Sequence, residues 1–236
     1  MTEEMRIEDY LAKGGVLSNP SNVPPRYRAE LMKLMASFVD SELAGAAGFA
    51  DVINQGPGIK ERIAAAKIVL EKTDAADRVL RIMGDFGADT DRYANHHPWT
   101  ARLDRDADIG TQRGEHDMRL AVFNYPLEGW ADAVMMNLLM GRAVGVQMAD
   151  FALVSYQPLA EEGVIKLMEN GEAPALQASV DYWWPRVAAS FGSTASTKAD
   201  SLKAMGLRHA GNADLRARWE AEAGAVLARL GLTVPA

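Results

Sequence analysis

The stretch LMKLMASFVDSELAGAAGFADVI, Leu31 to Ile53, decides how this chain folds. Leu31, Met35, Phe38, Gly45, Phe49 and Ile53 recur at three- and four-residue steps, so they share one face of a helix. The face also carries one acid, Glu42. A carboxylate among apolar neighbours is costly unless it is paired or bound to a metal, so its presence there calls for a partner. The helix is expected from about Pro25 to Asn54, where Gln55-Gly56-Pro57-Gly58 stops it.

The same reading extends outward. A second helix is predicted from Ile59 to Phe86, with the stripe Ala64, Ile68, Glu71, Ala75, Val79, Ile82 and Phe86 and a stop at Gly87. A long connection follows from Ala88 to Pro126, with a short element near Arg119 to Phe123. Helix 3 is predicted from Leu127 to Tyr156, with Asp132, Met135, Leu139, Ala143 and Val146 facing inward. Helix 4 begins after Pro158 and carries Ile165, Glu169, Glu172, Leu176, Val180 and Trp183, with a kink at Gly171 and Pro174. Two shorter helices follow Ser193 and end near Leu230. Nothing alternates with the two-residue period of a strand.

Two helical pairs joined by one long crossover predict an all-α, ferritin-like four-helix bundle with extra C-terminal helices, the crossover lying between helices 2 and 3. The expected organisation is an irregular arm over 1–24, the bundle over 25–192 and a helical tail over 193–236 packed on it. Apolar residues make up 48% of the 236, enough for a sizeable core. The net charge of -7, with no basic run, argues against nucleic-acid and membrane-surface partners. The chain has no cysteine, which excludes disulfides, thiolate metal sites and a cysteine nucleophile. The polar, acidic start is no secretory signal, and the apolar run from Val134 to Val146 is broken by Asn137 and Arg142, so a cytoplasmic protein is expected.

The inward acids carry the chemistry. Each long helix places one on its apolar stripe: Glu42, Glu71, Asp132 and Glu169. Two have a second acid three residues on, Asp74 after Glu71 and Glu172 after Glu169, and residues at that spacing share a helix face. One, two, one, two acids over four helices is the layout of di-iron carboxylate bundles, in which the second member of each pair is a histidine. Here both such positions are acidic. The competing reading is a set of solvated acids, which a chain with 32 of them produces easily. Lys67, one turn before Glu71, is either a surface partner of that acid or an ammonium set among the inward carboxylates. His96 and His97, ahead of Pro98-Trp99, match no metal-ligand spacing, and no Gly-rich phosphate motif is present.

Several segments together resemble the phenylacetic acid catabolic protein family, which comprises the large subunits of phenylacetyl-CoA epoxidase and their relatives. They are Arg26-Tyr27-Arg28, Phe38 to Leu43, Lys67 to Glu71, Pro126 to Asp132, Asn137-Leu138-Leu139 with Gly141-Arg142-Ala143, and Trp184-Pro185-Arg186 before Phe191-Gly192. The resemblance spans most of residues 25–195. It implies a ferritin-like fold and one of two roles. One is a mono-oxygenase subunit whose di-iron site activates O2 on an aromatic acyl-CoA, with electrons from a separate reductase. The other is a non-catalytic structural subunit with a degenerate site. It also implies a homo- or heterodimer with a related subunit. Glu42, Glu71, Asp132 and Glu169 match its carboxylate ligands, and Lys67 matches a lysine that bridges them when metal is absent. Asp74 and Glu172 stand in place of its histidines, so a metal set here would be Glu42, Glu71, Asp74, Asp132, Glu169 and Glu172.

Overall fold

The computed structural model describes residues 9–10, 13–15, 19–91, 95, 99–109, 116–148 and 157–235. The α-helices bounded among the described residues are α1 (Pro25–Val52), α2 (Ile59–Asp85), α3 (Trp130–Gln147), α4 (Gln157–Glu169), α5 (Ala173–Ala189), α6 (Thr197–Ala204) and α7 (Asn212–Arg229). Short 3-10 turns lie at Pro20–Asn22, Ile53–Gln55 and Ala121–Asn124. The chain is an all-α, ferritin-like bundle, and no strand occurs among the described residues.

Local chemistry sets the helix ends. Pro25 opens α1 at a position whose N–H would be unpaired in any case. Gly87, in the left-handed region at φ 85°, closes α2, and the Ala88 N–H returns to the Met83 carbonyl at 3.0 Å. The same motif ends α4: Gly171 has φ 82°, and the Glu172 N–H donates to the Leu167 carbonyl at 3.0 Å. Pro174 then sits in the first turn of α5. The predicted kink in helix 4 is therefore a full break between two helices. The last part of the predicted helix 3, from Ala149 to Tyr156, falls outside the described residues.

α3 is the centre of the bundle. It is buried without interruption from Asp132 to Gly141 and packs against α4, α5 and α7 as well as α1. A helix apolar on every side needs neighbours on every side. The largest core cluster joins Met135, Leu138 and Leu139 to Val164 and Leu167 of α4, to Leu176, Val180 and Trp183 of α5, and to Leu215, Trp219 and Leu227 of α7. Trp219 is fully buried and donates its indole N–H to the Leu139 carbonyl at 3.0 Å, so α7 is tied into the core. Polar links add to this: Glu161 of α4 accepts from Arg142 of α3 and from Arg229 of α7.

The α1–α2 hairpin is held differently. Many of its buried residues are small, with Ala44, Gly45, Ala46 and Gly48 on α1 and Ala65, Ala75 and Ala76 on α2. Two modest clusters, one around Val39, Ala76 and Met83 and one around Phe49, Val52, Ala65 and Ile68, replace a large core. Short side chains let the two backbones approach closely, so a single long side chain between them has a large effect on what fits there. Among the described residues no helix is long and apolar enough to cross a membrane.

Candidate functional site

Asp40, Ser41 and Glu42 form a buried polar step in the middle of α1. Asp40 accepts from the Met118 N–H at 3.0 Å and from the Trp99 indole at 3.3 Å. Ser41 Oγ accepts from the Leu120 N–H at 3.0 Å. These two residues therefore fasten the crossover to α1. Glu42 points at α2 instead. Its carboxylate, about 4% exposed, meets the Lys72 ammonium at 3.2 Å and 3.5 Å, and the lysine is equally buried.

The second inward acid is Asp132, in the first turn of α3. Its side chain turns back to accept from the Glu128 N–H at 2.9 Å, satisfying a donor that precedes the helix. It also accepts from the Trp183 indole at 2.7 Å. Arg105 of the crossover grips both oxygens, at 2.7 Å and 3.2 Å. That fork-on-carboxylate geometry is among the strongest ion-pair arrangements.

Arg105 is held in turn. Its guanidinium stacks 3.6 Å from the centre of the Tyr182 ring, and Arg186 stacks on the same ring at 3.6 Å. The Tyr182 hydroxyl donates to the Arg105 carbonyl at 2.6 Å. Burial pushes that hydroxyl above the usual phenol range, although both arginines pull it down. Burial also works against the Arg105 charge, but the bond to Asp132 and the nearby Glu128 outweigh it and hold its pKa up.

The other predicted residues lie elsewhere. Glu71 is half-buried, and Lys67 is on the exposed face of α2. Asp74 is exposed and pairs with Arg78 one turn on, at 3.0 Å. Such a pair is worth only a few tenths of a kcal/mol. The inward stripe of α2 is Ala65, Ile68, Lys72, Ala75, Ala76 and Met83, rotated by about one residue from the predicted one, so Lys72 faces inward where Glu71 was expected. Ile82, expected inside, is 46% exposed. In an alanine-rich helix most alanines fit either phase, which is why the pattern alone misplaced the stripe.

Glu169 is exposed at the end of α4, and Glu172 is half-buried in the turn before α5. The three-residue spacing puts two side chains on one face only inside a continuous helix, and the Gly171 break removes that condition. His96 and His97 lie outside the described residues. His116, at φ 68°, and His209 join no acid cluster among the described residues.

A di-iron centre needs several carboxylate or imidazole donors converging on one volume. Among the described residues no three His, Cys, Asp or Glu side chains do so. The two predicted acids that do face inward are each bonded to a cation of the protein itself. The donor set among the described residues therefore does not fit two metal ions. Four of the residues that replace it, Asp40, Lys72, Arg105 and Trp183, were not legible as site residues. Lys72 could have been found only with the correct helix phase, and Arg105 is separated from Asp132 by 27 positions.

One relative, a 1,2-phenylacetyl-CoA epoxidase subunit from Escherichia coli (strain K12), is 23% identical over 257 aligned positions, covering 100% of this chain and 78% of the relative. The family model for the phenylacetic acid catabolic protein matches residues 5–171 and 161–236, and the chain belongs to that family.

Proposed function

We propose that the chain is a component of an epoxidase-type oxygenase of phenylacetate catabolism, acting as the partner subunit that supports a metal-bearing relative. The observation that carries this reading is the engagement of both Asp132 oxygens by the fork of Arg105. A metal entering there would have to displace the partly buried Arg105 guanidinium and leave it without its counter-charge. With those charges already neutralised, the bundle holds its shape without a metal and presents a rigid scaffold. The catalytic relative would supply the di-iron chemistry on an aromatic acyl-CoA, and the reductase would deliver electrons to that relative.

The test is purification of the chain with iron supplied, alone and co-expressed with a family member that retains both ligand histidines. The chain alone is expected to hold far less than one iron per molecule and to consume no O2 with a reductase. Together the two are expected to co-purify as a stoichiometric complex. A chain that loads iron by itself and turns over O2 on an aromatic acyl-CoA would overturn the reading in favour of a catalytic subunit with an all-carboxylate site.

A further inference from the structure

A small cavity of ≈ 20 Å³ lies between the α1–α2 hairpin, α3 and the crossover. That is room for about one water-sized particle. Two glycines of α1 keep it open. A Cβ at Gly45 would come within 3.1 Å of the Phe123 ring, and one at Gly48 within 3.1 Å of the Leu127 methyl.

Lys72, Arg102 and Asn137 line this space, and all three offer N–H groups. Asn137, on α3, is 3% exposed, and its Nδ2 meets no acceptor among the described residues. A buried amide N–H in this state is rare in folded proteins, and where one occurs a bound species commonly completes it.

The charges around the cavity do not balance. Lys72 has Glu42 as its carboxylate partner. Arg102 spends its hydrogen bonds on main-chain carbonyls, those of Trp99, Ala101 at 3.0 Å and Ala44 at 2.8 Å. Among the described residues no carboxylate lies within ion-pair distance of it; Asp51 acts on it only through space. Burial, and then repulsion from Arg119, pull its pKa down, as expected for a cation lacking a close counter-charge. The cavity thus gathers one cation in excess and an amide donor with no acceptor among the described residues. A neutral water would satisfy the amide but not the charge.

We propose that this cavity is a binding site for one small monatomic anion, a halide such as chloride, held by Asn137 and the Arg102 and Lys72 cations. The ion completes the charge of Arg102, whose bond to the Ala44 carbonyl pins the crossover to α1. It is a fixed part of the fold, clamping the crossover that carries Arg105 to Asp132.

Bromide is the probe. Crystals of the full chain grown in sodium bromide are expected to show an anomalous peak in this cavity, within hydrogen-bonding distance of Asn137. In solution, bromide is expected to raise the unfolding temperature to a saturating limit, with sodium sulfate, too large to enter, as the ionic-strength control. Asn137→Leu keeps the volume and removes the donor, and should weaken the bromide response at least about tenfold. Asn137→Asp supplies a built-in anion. It should abolish the response and fold with a stability that no longer depends on halide. A water in place of the bromide peak would overturn the proposal. So would a bromide response that survives unchanged in the aspartate variant, which also decides the matter if Asn137→Leu does not fold.

Discussion

Asp132 and Glu42 are two buried carboxylates of one bundle, equally hidden from water, yet their surroundings differ sharply. Asp132 accepts four hydrogen bonds, from both arms of Arg105, the Trp183 indole and the Glu128 N–H. These come from the crossover, α5 and the entry to α3, so one carboxylate ties three parts of the chain together. Glu42 has the Lys72 ammonium, on the facing helix, as its cation. The first site is a junction and the second is a bolt across a hairpin. A junction that several donors depend on is costly to delete, whereas a simple pair is costly only when one half is removed.

The largest effect is therefore expected at the junction. Asp132→Leu leaves an arginine, an indole N–H and a backbone N–H without their acceptor. It should cost about 3–5 kcal/mol, seen as a fall of roughly 10 °C in thermal unfolding for a chain of this size. A loss under about 1 kcal/mol would show that water replaces Asp132 easily.

At the bolt, the comparison can be broken outright. Lys72→Met should cost about 3 kcal/mol by stranding the Glu42 charge. The double change Glu42→Leu with Lys72→Met should restore stability to within about 1 kcal/mol of the parent, because a packed apolar pair replaces an ion pair at little net cost. Denaturant titration of the single and double variants measures this cycle. Failure of the double variant to recover would mean that Glu42 or Lys72 has a further role in the interior, as the proposed anion site gives Lys72.

Smaller effects test the two corrections to the α2 and α4 pattern. Gly171→Ala has open space around the new methyl, so its cost is purely that of a left-handed backbone, about 1–2 kcal/mol, read by the same titration. Lys67→Ala, on the exposed face, should change stability by no more than about 0.5 kcal/mol and leave assembly with a relative intact. A large effect there would place Lys67 at an interface.

Much of the architecture was legible before any coordinates. Pro25, Gly56-Pro57 and Gly87 bound α1 and α2 because proline and glycine act on the backbone locally, whatever surrounds them. The inward stripe of α3 was fully readable because its apolar residues are large and dense: Asp132, Met135, Leu139, Ala143 and Val146 are all buried. Leu176, Val180 and Trp183 of α5 were placed inward for the same reason. The α2 stripe failed by one residue because alanine carries little information about which way a helix turns.

The sequence by itself determined a helical bundle, its long crossover and four acids expected to face inward, Glu42, Glu71, Asp132 and Glu169, of which Glu42 and Asp132 are buried. That follows from local backbone preference and from the cost of burying charge, both of which operate residue by residue. Only the tertiary structure decided who the partners are. Lys72 reaches Glu42 across 30 positions and Arg105 reaches Asp132 across 27, each from an element whose rotation or path is fixed by packing and not by its own composition. The same acids could have met metals or cations of the chain. The phase of α2, the break at Gly171 and the course of the crossover select the cations.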